Sequence, residues 1–191
     1  MIKILFREYG ANCKIVGIAD GYGVAEDPDG LNSDELLKLV HESLPIKFFD
    51  RTKLSSHGVV FDATTKEGLI RRAALPFKVK ADAFIPAGGR PNTINGDNWR
   101  QFLDDSGKPS SPLIVEGANI FNTPEARHNL FEHAGVVFVK DSSANKVNNH
   151  SHMRSVEIQS QLLFCCSVWS HHVLMRSSCI NASVERGVYG H

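Results

Sequence analysis

The chain has 191 residues, of which 42% are apolar and 22% charged, enough for one domain with a sizeable core. Its 21 basic and 21 acidic side chains cancel, so nothing electrostatic points to nucleic acid or to an anionic membrane surface. No apolar run approaches the length of a membrane span, and the N-terminus lacks the long apolar stretch of a secretion signal.

Met1 to Tyr9 carries Ile2, Leu5, Phe6 and Tyr9 at helical spacing, with Gly10 as its stop. Lys14 to Asp20 reads as a strand. Gly21 to Gly30, with Asp27-Pro28-Asp29-Gly30, reads as a turn-rich loop. Asn32 is placed to cap a helix with Glu35 at its third position and Leu36, Leu37, Val40 and Leu44 on its buried stripe. Leu44 to Gly58 has no clean period and is expected on the surface. Val59 to Asp62 reads as a short strand, Lys66 to Ala74 as a helix with Pro76 just beyond it, and Asn95 to Leu103 as another helix. Thr123-Pro124-Glu125 is a helix start: a hydroxyl cap, proline at the first helical position, and a carboxylate near the positive end of the dipole.

Three apolar stretches stop abruptly in small or polar residues. They run into Pro86-Ala87-Gly88-Gly89, into Glu116-Gly117-Ala118-Asn119, and into Asp141 to Asn145. Strands apolar on both faces belong to parallel sheets covered by helices, and ligands bind at their carboxyl ends. Alternation of strands and helices therefore predicts an α/β, Rossmann-like parallel sheet with helices on both faces, its strands near 14–20, 81–86, 112–116 and 136–140. Asp20 ends the first of these strands and is followed by Gly21-Tyr22-Gly23. A carboxylate in that place binds adenosine ribose hydroxyls in dinucleotide folds and disfavours a 2′-phosphate. The plainer reading of Asp20 is a turn residue. Glu116 reads equally as an ion-paired carboxylate, Asp141 as a loop-fixing one, and Arg90 as a solvated surface arginine. The fold expected here is incomplete, because the first strand and its phosphate-binding GxGxxG loop are missing. Met1 to Tyr9 would then be the tail of the helix that such a loop begins.

Residues 2–146 resemble the C-terminal, coenzyme-binding domain of glutamate dehydrogenase, of the large NAD-specific type. The resemblance rests on Lys14 to Gly21, Asp27 to Leu31, Ile85-Pro86-Ala87, Ile114 to Asn119, Thr123 to Ala126 and Asp141 to Lys146. It implies a coenzyme, NAD, contacted by Asp20, Gly21, Pro86, Ala87, Gly88, Asn119 and Asn145. It also implies L-glutamate as a possible second ligand, oxidative deamination to 2-oxoglutarate and ammonia as the reaction, and homo-oligomers among full-length members. The family's catalytic lysine and aspartate lie on a preceding substrate domain, so the resemblance assigns no catalytic residue to this chain. It implies an N-terminally truncated portion, inactive alone. The alternative is a non-catalytic remnant or interaction protein that keeps the fold.

After Lys146 the resemblance stops. Residues 1–146 are expected to form the partial NAD-binding domain, and 147–191 a divergent tail, poorly ordered or loosely packed. The tail holds His150, His152, His171 and His172 and three of the four cysteines, Cys165, Cys166 and Cys179. These are zinc-ligand types at spacings that match no zinc motif, so no metal is assigned. With Cys13 they form no CxxC pair, which fits free thiols in a reducing compartment. The expected location is cytoplasmic, with the mitochondrion as the alternative.

Overall fold

The computed structural model describes residues 1–144 and 172–177. Seven strands, β1 (Cys13–Ala19), β2 (Gly23–Glu26), β3 (Val59–Asp62), β4 (Ala83–Pro86), β5 (Leu113–Val115), β6 (Val137–Val139) and β7 (His172–Ser177), form one sheet in the order β3-β2-β1-β7-β4-β5-β6. Among the described residues five helices accompany it: α1 (Ile2–Tyr9), α2 (Ser33–Glu42), α3 (Lys66–Lys78), α4 (Pro124–Ala134) and the single turn α5 (Asp141–Ala144).

The fold is α/β, as expected, but the sheet is mixed rather than wholly parallel. The pairs β4–β5 and β5–β6 are parallel. The pairs β1–β2, β2–β3, β1–β7 and β4–β7 are antiparallel. β1 therefore runs in the same direction as β4, yet the two are not neighbours. The segment read as a loop at Gly21–Gly30 contains β2. A tight turn from Asp20 to Gly23 lets it fold back on β1, with Asp20 N donating to Gly23 O at 3.0 Å.

β7 departs furthest from expectation. Six residues of the supposed loose tail sit in the middle of the sheet. Val173 and Leu174 are fully buried, and Met175 nearly so. Seating those three side chains is worth roughly 5–9 kcal/mol before the cost of ordering the strand. Among the described residues, β7 is the hydrogen-bonded link between two three-stranded halves. The remainder of 147–191 lies outside the described residues, as do His150, His152, His171, Cys165, Cys166 and Cys179.

Side chains alternate between two apolar layers. Ala83, Ile85, Val115, Val173 and Met175 pack with Leu5, Leu36 and Leu39 of α1 and α2. Phe84, Ile114 and Leu174 pack with Leu75 of α3 and Ala126 and Leu130 of α4. Helix ends follow from local chemistry. Asn32 Oδ1 accepts from Glu35 N at 3.0 Å, and Thr123 Oγ1 accepts from Ala126 N at 3.2 Å. Such caps are worth about 1 kcal/mol each. Gly135, at φ 64°, closes α4 by donating to the Leu130 and Phe131 carbonyls.

Three local expectations need correction. The buried stripe of α2 is Leu36 and Leu39, whereas Leu44 is exposed. The helix expected over Asn95–Leu103 is a short 3-10 turn, Trp99–Phe102. α3 continues through Pro76 to Lys78, with the Pro76 carbonyl accepting from Ser110 Oγ at 2.7 Å.

Candidate coenzyme site at the strand ends

The carboxyl ends of β1, β4, β5 and β6 lie on one edge of the sheet, because these strands share a direction. Asp20 follows β1, Pro86 ends β4, Glu116 follows β5, and Asp141 begins α5 after β6. Pro86 and Ala118 join two of these ends directly, Ala118 N donating to the Pro86 carbonyl at 2.7 Å. Ala87 and Gly88 are buried beside that contact, and Gly89 and Asn119 are exposed. Asn145 lies outside the described residues.

Asp20 is 7% exposed. Its Oδ1 accepts from Tyr22 N at 2.7 Å and Gly23 N at 2.8 Å, and its Oδ2 accepts from Ile46 N at 2.7 Å. A carboxylate has about four acceptor positions, and three are spent on backbone amides. Asp20 thus fixes the β1–β2 turn and docks the 3-10 turn Ile46–Phe48 against it. That is the turn-residue role its sequence position also suggested. Gly21, beside it, is exposed, and an added Cβ would meet nothing within 4 Å. The sequence reading missed Arg72, whose helix carries no ligand motif. Its Nη1 lies 3.5 Å from the Gly21 carbonyl, and its buried Nε has no hydrogen-bond partner among the described residues. Burial lowers the Arg72 pKa, repulsion from Arg90 adds to that, and Asp20 opposes both. This corner of the edge therefore carries two guanidinium groups.

Glu116 is fully buried. Its Oε2 meets Arg127 Nη2 at 2.9 Å and Nε at 3.0 Å. Its Oε1 accepts from Asn122 N at 3.1 Å and Asn122 Nδ2 at 2.6 Å. The group clamps the β5–α4 connection to α4. Asp141 Oδ2 accepts from Ile120 N at 2.9 Å. That bond, ahead of a second from Ser142 N, holds the Asp141 carboxyl below its ordinary range. Ile120 has φ 52°, a left-handed conformation that a β-branched residue adopts only under constraint. Asp141 supplies that constraint, in keeping with its reading as loop-fixing.

All three carboxylates at the strand ends are therefore engaged in structure, so the arrangement orients groups and presents no free base. It fits a dinucleotide only in part. The backbone at Pro86–Gly89 and the exposed Gly21 and Asn119 leave room along the edge. A pyrophosphate needs a helix N-terminus at the gap between β1 and β4, and the gap is instead filled by the start of β7, with His172 opposite Ala19 and Pro86.

Comparison with known proteins gives the relatives of this chain. The chain is 41% identical over 165 residues to the "Probable NAD-specific glutamate dehydrogenase" of Schizosaccharomyces pombe, covering 81% of this chain and 15% of that protein. It is 40% identical to the NAD-specific glutamate dehydrogenase of Saccharomyces cerevisiae, covering 69% of this chain and 14% of that protein. It is 33% identical to glutamate dehydrogenase 2 of Dictyostelium discoideum, covering 87% and 17%. The chain thus spans about one-sixth of the length of these relatives or less. Among solved structures, Plasmodium falciparum glutamate dehydrogenase is 22% identical with a TM-score of 0.47, covering 69% of this chain and 25% of that one. The profile of the Glutamate/Leucine/Phenylalanine/Valine dehydrogenases matches residues 4–147, and the chain belongs to that family.

Proposed function

We propose that this chain is a coenzyme-binding portion of an NAD-dependent glutamate dehydrogenase, an enzyme that deaminates L-glutamate oxidatively to 2-oxoglutarate and ammonia. The observation that carries the reading is the similarity to NAD-specific glutamate dehydrogenases across 81% of the chain, with the family profile matching residues 4–147, which include the strands whose ends form the edge described above. When bound, NAD accepts the hydride. The chain's share is positional: Pro86, Ala87, Gly88 and Asn119 at the strand ends, Gly21 at the adenosine side, and Asn145 beyond α5. Asp20 acts here by holding the turn that presents Gly21.

We place the isolated chain among inactive portions. Proton transfer by positioned groups contributes about 10²–10⁴-fold, and each carboxylate on the described edge is already committed. A non-catalytic remnant is the second reading, favoured by the engagement of Asp20 with three backbone amides and the filled gap between β1 and β4. Location in the cytoplasm, or alternatively in the mitochondrion, belongs to the same proposal. Calorimetric titration of the full chain with NAD and with L-glutamate, together with a glutamate-dependent NADH assay, tests the reading. Weak NAD binding without turnover supports it. No NAD binding at any accessible concentration leaves the remnant reading, and turnover by the pure chain removes the claim of inactivity.

A further inference from the structure

β7 stands in a position that has a meaning. In doubly wound dinucleotide sheets the strand order is 3-2-1-4-5-6, so strand 1 lies between the strand that ends in the ribose-side acid and strand 4. Here β1, ending before Asp20, and β4, ending at Pro86, flank a single slot, and β7 fills it. Strand 1 would run with β1 and β4 and deliver a glycine turn and a helix N-terminus to the crevice edge. β7 runs the other way and begins at that edge. His172 is 5% exposed, and its ring lies 5.1 Å from the Phe121 ring and 6.2 Å from the Phe84 ring.

The fit of β7 carries an irregularity. The register against β1 shifts between Ile15 and Gly17. Leu174 packs closely over Gly17: a Cβ there would lie 3.2 Å from Leu174 Cδ1 and 3.1 Å from Leu75 Cδ1, so these side chains would have to give by a few tenths of an ångström. The register against β4 is continuous from Ala83 to Pro86. The apolar layers on the two faces accept Leu174 on one side and Val173 and Met175 on the other. Such a slot specifies an apolar extended segment without requiring this direction of travel.

We propose that β7 is a placeholder strand that keeps the coenzyme crevice closed. While it is seated, no phosphate-binding turn can occupy the gap between β1 and β4. It yields to a strand of opposite direction that brings such a turn. This regulation rests on the function proposed above.

The test uses the full chain and the facing of Cys13 and position 177 across β1 and β7. Directly opposed strand positions fall within the Cα separation a disulfide needs. Under alkaline conditions that ionise part of the buried Cys13 thiol, diamide should cross-link Cys13 to position 177 in the Ser177→Cys variant. An N-terminal fusion of roughly 30 residues designed as a strand, glycine turn and helix should lower that yield about tenfold and tighten the weak NAD binding of the unfused chain, seen by calorimetry. The same segment added as a free peptide gives a second arm in which the folded host is unaltered. If neither arm lowers the yield, or if the unfused variant never cross-links, the proposal is overturned. If the yield falls and NAD still does not bind, the placeholder strand stands and the function proposed above is what fails.

Discussion

Replacing Asp20 separates its two roles. Asp20→Ala removes the acceptor of three amides, those of Tyr22, Gly23 and Ile46. Tyr22 is 59% exposed, so water can satisfy its amide. The bonds from Gly23 and Ile46 are buried, and an orphaned buried donor costs about 1–3 kcal/mol. Two of them give a loss of about 2–6 kcal/mol, with about 3–4 the expected value. For a chain of this size that lowers Tm by roughly 6–16 °C. Asp20→Asn keeps one acceptor oxygen and turns an amide nitrogen toward an N–H donor, and should cost about half as much. Urea titration of the full chain and both variants measures the loss. Parallel titrations with NAD and NADP measure coenzyme preference. A variant within about 0.5 kcal/mol of the parent, combined with a large gain in NADP affinity over NAD, would refute the structural role and restore Asp20 as a ribose ligand.

Three further outcomes follow from the same geometry. Glu116→Ala leaves the largely buried Arg127 guanidinium uncompensated and should cost about 3–5 kcal/mol in urea titration, and pairing it with Arg127→Met should recover part of that loss. Gly68→Ala drives a methyl into the Asp62 carbonyl at the start of α3 and should destabilise by about 1–3 kcal/mol, visible as a lower Tm. Burial pushes the Cys13 thiol from 9.0 up to about 11. The folded chain then holds a proton that the unfolded chain releases, so this contribution is intact below pH 9.0 and is lost as pH rises through about 11. Stability measured across that window should fall less steeply in Cys13→Ala, and mass mapping should find Cys13 slow to alkylate at neutral pH in the native chain.

What the sequence made legible was local. Asn32 and Thr123 cap the helices their spacing announced, and Gly10 closes α1. The segments of β1, β4, β5 and β6 were visible as apolar runs, because buried strands need few polar positions. Partnership was not legible. Gly23-Val24-Ala25-Glu26 is too short, and too close to turn residues, to announce a strand until β1 and β3 flank it. His172 to Ser177 has ordinary strand composition, and its place depends on edges more than 85 residues away at β4 and more than 150 away at β1. Pairing at that separation leaves no periodic trace in the sequence. At the site, the position of Asp20 was correct and its duty was open. Three amides engage its carboxylate, and one of them, from Ile46, comes from a segment without any period.

The seating of β7 between β1 and β4 decides whether the crevice edge has the form described. Antiparallel pairing brings opposed residues within proton-contact range, through α-protons at a non-hydrogen-bonded pair and through amide and side-chain protons at a hydrogen-bonded one, and the register puts Met175 opposite Ile15 on one side and Ala83 on the other. Nuclear Overhauser contacts from Met175 to both residues, measured on the isotopically labelled full chain, should be present together and should vanish together when Leu174→Asp unseats the strand. Direct contacts between β1 and β4, with Met175 close to neither, would contradict it.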